Sequence, residues 1–115
     1  MAVSKRLIAK SQELADGGKG VRFFALDDQG IESPAFVIRH RGEVHGFINR
    51  CAHIQVELDW QEGHFFDDDQ QYLICATHGA LYQPDSGVCI AGPCKNGKLE
   101  KLAITEDGED IFVCE

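Results

Sequence analysis

The sequence predicts an all-β fold of antiparallel strands, and three observations carry that prediction. Turn chemistry interrupts the chain at Asp16-Gly17-Gly18, Asp27-Asp28-Gln29-Gly30, Arg41-Gly42, Asp67-Asp68-Asp69, Asp85-Ser86-Gly87, Lys95-Asn96-Gly97 and Asp107-Gly108. Between these points lie short runs rich in β-branched and aromatic residues, the composition of strands. Only Ser11–Ala15 carries a helical signal, with Ser11 as N-cap and Gly17 as stop, and it is barely a turn long.

Arg6–Ala9 opens the series of strands, and Val21–Leu26 follows the turn at Gly17 and Gly18. Ala35–Arg39 and Val44–Asn49 flank Arg41-Gly42, which makes them a hairpin that delivers Cys51 from a strand end. Tyr72–Cys75 comes after the Asp67-Asp68-Asp69 turn and delivers a second cysteine in the same way. Leu81–Gln83 and Val88–Ile90 flank Asp85-Ser86-Gly87, and Leu99–Ile104 and Asp110–Cys114 flank Asp107-Gly108. No internal repeat or low-complexity segment interrupts this pattern.

At 115 residues and 12.7 kDa, residues 1–115 fit a single domain. Apolar residues come in short clusters, so no segment reads as a membrane span. Met1–Lys10 carries Lys5, Arg6 and Lys10 without an apolar stretch or cleavage pattern, and the expected location is cytoplasmic. Nineteen acidic against eleven basic residues give a net charge of −8 and a pI near 5.0, which excludes nucleic acid and anionic lipid surfaces as natural partners. Five cysteines are an odd number, and two sit beside histidines, so reduced thiols describe them better than a secreted disulfide framework.

Those two cysteines carry the chemistry. Cys51-Ala52-His53 and Cys75-Ala76-Thr77-His78 place two thiols and two imidazoles in two tight pairs, a complete four-ligand metal set. A structural zinc would accept the same ligand types, but zinc motifs usually pair cysteine with cysteine. A cysteine-histidine nucleophile would leave the second pair unexplained.

The order and spacing of the pairs resemble the Rieske [2Fe-2S] proteins. The likeness continues through His78-Gly79-Ala80-Leu81-Tyr82-Gln83-Pro84 into Ser86-Gly87 and then Gly92-Pro93, so Asn49 to Pro93 carries it. The resemblance implies an antiparallel β-sandwich or barrel base with a small cluster-binding subdomain of two loops, within residues 49–95. It implies one [2Fe-2S] cluster per chain, with Cys51 and Cys75 on the inner iron and His53 and His78 on the outer, electron-accepting iron. With two thiolates and two neutral imidazoles, the oxidised core carries no net charge. An added electron is therefore easier to accommodate than in an all-cysteine cluster.

Departures from the family pattern also carry information. The stretches Ile54-Gln55-Val56 and Ala76-Thr77 lack the cysteines that form a disulfide between the loops in respiratory-chain members. Ala80 stands where the high-potential members have a serine hydroxyl aimed at a cluster sulfur, while Tyr82 matches a family aromatic that donates to a ligand sulfur. Together these imply a potential toward the low end for such centres. The stretch between the pairs is longer than usual, with its extra residues expected near Gly63–Gln71.

The resemblance implies a one-electron carrier, a ferredoxin between a flavin reductase and an oxygenase or other oxidoreductase, not an enzyme. Partners are expected to dock at the His53/His78 end, within an apolar rim of Ile54, Gln55, Val56, Gly79, Ala80 and Pro93. A small subunit of a nitrite-reductase-like complex and a redox-sensing module remain open beside this reading. His40, His45 and His64 lack a paired cysteine and are assigned surface or hydrogen-bonding roles. Cys89 and Cys94 are expected as thiols and Cys114 as a strand filler. Trp60, Phe65 and Phe66 are expected to cover the cluster loops, and Asp67-Asp68-Asp69 to form an exposed turn.

Overall fold

In the computed structural model, which describes residues 5–51, 57–59, 61–75, 79–92 and 97–114, strands form in nine places and only one short 3-10 turn interrupts them. The strands are β1 (Lys5–Lys10), β2 (Val21–Leu26), β3 (Glu32–His40), β4 (Glu43–Ile48), β5 (Leu73–Ile74), β6 (Leu81–Tyr82), β7 (Cys89–Ala91), β8 (Lys101–Asp107) and β9 (Asp110–Cys114). Every expected strand is present, β2 and β9 with the expected ends and the others with shifted ones. β8 starts later than expected because Leu99 turns inward, 1% exposed, and the polar Thr105, Glu106 and Asp107 continue the ladder against β9.

Two antiparallel sheets result: six strands in the order β1-β9-β8-β4-β3-β2, and three in the order β5-β6-β7. The larger sheet curls. Ala9, Val21, Phe23, Val37, Val44, Ile104 and Ile111, which come from all six strands, pack into one apolar group. The edge strands β1 and β2 meet through the Arg6 guanidinium, which donates to the Phe24 carbonyl at 2.6 Å. This is a near-barrel closed by a side chain where backbone pairing ends.

β3 explains why Ala35-Phe36-Val37-Ile38 is an unbroken apolar run. Ala35 and Val37 face the barrel interior, whereas Phe36 and Ile38 face a second core shared with the small sheet, and all four are 0% exposed. The β3–β4 hairpin turns through Arg41 (φ 52°) and Gly42 (φ 80°), the left-handed pair that suits strand twist. Arg39 fixes that hairpin to β8. Its guanidinium donates to both Glu106 oxygens at 3.0 and 2.5 Å and to the carbonyls of Leu14 and Gly42, holding the Glu106 carboxyl below its usual range.

The expected helical turn is the 3-10 segment Ser11–Glu13, but Ser11 is not its cap. The Ser11 hydroxyl donates to Glu106 Oε2 at 2.6 Å, and the turn is held by the Lys10 N–H on Glu13 Oε1 at 2.8 Å. The strong acceptor already pinned by Arg39 outcompetes local capping. No helix among the described residues is long and apolar enough to cross a membrane.

Candidate metal centre

Cys51 lies three residues beyond the end of β4, and Cys75 directly follows β5. Both are buried, at 2% and 0% exposure, in one apolar group with Phe36, Phe47, Leu58, Phe65, Ala80 and Tyr82. Two loops that are distant in sequence thus bring their thiols into the same dry core. Tyr82 on β6 places its hydroxyl 3.2 Å from Cys51 Sγ.

The second loop is framed tightly. The Gly79 N–H donates to the Cys75 carbonyl at 2.7 Å, and the Cys75 N–H donates to the Ala80 carbonyl at 2.9 Å. Gly79 (φ 73°) supplies the left-handed step that this closure needs. Gly92 (φ 97°) lies against the same loop, where a Cβ would come within 2.8 Å of Ala80 Cα. The bonds between Cys75 and Ala80 therefore bracket the position of His78 in sequence.

The first loop is closed by side chains. Asn49, 3% exposed, accepts the Leu58 N–H through Oδ1 at 2.8 Å and donates through Nδ2 to Asp59 Oδ1 at 2.9 Å. Asp59 Oδ2 in turn accepts the Gly63 N–H at 3.0 Å. Arg22 on β2 reaches this group from the barrel, with Nε 3.6 Å from Asp59 Oδ2. Asn49, Asp59 and Arg22 form a linked polar group that the sequence alone does not single out. The available signal is two polar residues flanking a ligand loop, and nothing in the chain announces that Arg22 meets them.

His53 and His78 lie outside the described residues, as do Ile54, Gln55, Val56, Trp60, Pro93 and Cys94. Of the expected docking rim, Gly79 is exposed, but Ala80 is 0% exposed beneath Gly92 and belongs to the core. Phe65 is buried, stacks on Phe36 at 3.9 Å between centroids and belongs to the same apolar group as Cys51 and Cys75. Asp67 anchors an exposed turn by accepting the Gln71 and Tyr72 N–H groups. Cys89 is buried in the same apolar group as Cys51 and Cys75.

His40 and His45 belong to another place. They line a cavity of about 340 Å³ with Tyr72 and Asp85, at the ends of β5 and β6 opposite Cys75 and Ala80. His45 is 9% exposed, and burial, followed by the nearby Lys101 charge, lowers its proton affinity. His64 is exposed.

The donor set fits a cluster held half in protein. Two thiols in an apolar pocket, one with a hydroxyl directed at it, suit sulfur ligands of a buried iron.

The family model for the Rieske [2Fe-2S] domain matches residues 4–106. No curated protein matches the chain. Among solved structures, the chain is similar to the ferredoxin of carbazole 1,9a-dioxygenase from Nocardioides aromaticivorans IC177, with a TM-score of 0.72 and 23% identity over 96% of each chain. It is also similar to the Sphingomonas yanoikuyae B1 ferredoxin, with a TM-score of 0.75 and 19% identity over 97% of this chain and 99% of that one. A third match is a chain in the complex of reduced oxygenase and oxidized ferredoxin in carbazole 1,9a-dioxygenase, with a TM-score of 0.71 and 16% identity over 95% and 91%. At these identities the solved structures establish the fold.

Proposed function

The chain belongs to the Rieske [2Fe-2S] domain family, and from that premise we propose that it is a one-electron carrier, a ferredoxin that takes an electron from a flavin reductase and passes it to an oxygenase or another oxidoreductase. Cys51 and Cys75 hold the inner iron, and His53 and His78 hold the outer one. When bound, a [2Fe-2S] cluster with these ligands supplies a reversible one-electron couple. The observation that carries the reading is that Cys51 and Cys75, each heading a cysteine-histidine pair, share one buried group with the Tyr82 hydroxyl 3.2 Å from Cys51 Sγ.

The surrounding residues keep water from the sulfurs and fix their orientation. Phe36, Phe65 and Leu58 pack in the same apolar group as the two cysteines, and the Tyr82 hydroxyl, 3.2 Å from Cys51 Sγ, would donate to that sulfur once it is a thiolate ligand. Partners dock at the end that carries His53 and His78, where the electron enters and leaves. The ferredoxin and oxygenase-ferredoxin structures that share the fold support this class of partner. A reducing cytoplasm suits the domain, because its ligand thiols must stay unoxidised until the cluster is built.

Anaerobically purified protein, reduced with dithionite, tests the assignment. A paramagnetic resonance signal with average g below the free-electron value, with iron and acid-labile sulfide in equal amounts, is expected. His53→Ala and His78→Ala should each abolish the intact cluster. A wild-type visible spectrum and potential in either variant overturns the ligand assignment, and zinc in place of iron overturns the electron-carrier reading.

A further inference from the structure

Arg22 faces three carboxylates at the rear of the first cluster loop. Its Nη2 lies 2.6 Å from Glu57 Oε2, its Nε 3.6 Å from Asp59 Oδ2 and its Nη1 3.7 Å from Glu62 Oε1. Exposure ranks the three: the Glu57 and Glu62 side chains are 44% and 75% exposed, whereas that of Asp59 is 0% exposed. Water and salt screen the first two, and Asp59 acts through protein of low dielectric.

The Asp59 carboxylate is also tied to the cysteine side of the loop. Asn49, which donates to it at 2.9 Å, lies two residues from Cys51 in sequence. Leu58, the residue before Asp59, packs in the apolar group that holds Cys51 and Cys75. A fixed negative charge in that position makes an electron added to a cluster held by these loops costlier, and the guanidinium offsets it.

We propose that Asp59 and Arg22 are an electrostatic pair that sets the reduction potential of the cluster, Asp59 lowering it and Arg22 raising it. The inference rests on the [2Fe-2S] reading. It separates sharply from a purely mechanical role, because a latch that only shapes the loop is loosened alike by losing either partner, whereas a charge pair gives shifts of opposite sign.

Redox titration of the cluster-loaded protein, followed by visible circular dichroism, tests it on wild type, Asp59→Asn, Arg22→Gln, Arg22→Lys and Glu57→Gln. Asp59→Asn keeps the side-chain shape and should raise the potential. Arg22→Gln should lower it, Arg22→Lys should restore the wild-type value, and Glu57→Gln should move it less than Asp59→Asn does. Shifts of the same sign in Asp59→Asn and Arg22→Gln, or unmoved potentials in loaded variants, overturn the proposal. If Asp59→Asn does not assemble a cluster, the Arg22→Gln and Arg22→Lys pair decides the question through a fall in potential and its rescue. A wild type without iron and sulfide removes the cluster reading itself, a result distinct from loaded variants whose potentials stay put.

Discussion

At the scale of single residues, the pairing of Tyr82 with Cys51 is the contact whose energetic effect is simplest to isolate. The hydroxyl lies 3.2 Å from Cys51 Sγ, and donated to that sulfur as the proposed ligand it would stabilise it more when the cluster gains an electron, because the bond strengthens as negative charge accumulates on the acceptor. Tyr82→Phe keeps the ring, which is 0% exposed, and removes only the donor. The expected result is a drop in potential of about 40 mV, the equivalent of about 1 kcal/mol for one electron, with little loss of cluster. Direct voltammetry of the two proteins checks it, and an unchanged potential would show that the hydroxyl is not a donor to the sulfur in the loaded protein. Tyr82 stood out in the sequence through its match to an aromatic of the family, and the meeting of Cys51 and Cys75 was legible because each heads a closely spaced cysteine-histidine pair. Asn49, Asp59 and Arg22 were not, because Arg22 stands 37 residues before Asp59 and their meeting exists only once β2 lies beside the loop.

At the scale of elements, turn residues made the strand pattern readable. Arg41-Gly42 between two apolar runs sufficed to define the β3–β4 hairpin, and Asp107-Gly108 did the same for β8–β9. Strand ends were less legible, since the start of β8 depends on Leu99 being drawn into the core of the other sheet, a tertiary preference with no local signature. The placement of Ala80 was misread for a related reason: sequence shows a small residue beside a ligand, whereas packing by Gly92 buries it. That packing gives a test of how the second loop is held. Gly92→Ala puts a Cβ 2.8 Å from Ala80 Cα at φ 97°, so backbone must move, at a cost of at least about 2 kcal/mol. Gly79→Ala, also at positive φ (73°) but with nothing within 4 Å of the added Cβ, should cost less. Denaturant midpoints and iron per chain check the order, and equal effects in the two variants would show that contact with Ala80 does not hold the loop.

At the scale of the whole molecule, the two sheets are unequal in what sustains them. The six-stranded sheet owns two apolar groups and the Arg39–Glu106 pair, none of which includes Cys51 or Cys75. The three-stranded sheet has strands of two, two and three residues, too short to stand alone, and its core is the group that contains Cys51 and Cys75. Iron removal therefore acts unevenly. Without metal, the two buried sulfurs proposed as ligands lose the bond that would tie the loops together, and the small sheet keeps its backbone bonds to Phe65 and Gly97 and its apolar contacts in the group of Phe36, Ile38 and Phe47. The near-barrel loses nothing it depends on. In hydrogen exchange after chelation under reducing conditions, amides of β5, β6 and β7 should lose most of their protection, while those of β3, β4, β8 and β9 keep theirs. Uniform loss across both sheets would mean that the cluster sustains the entire domain, and retained protection in β5–β7 would mean that the shared core alone is enough to hold the loops in place before any iron arrives.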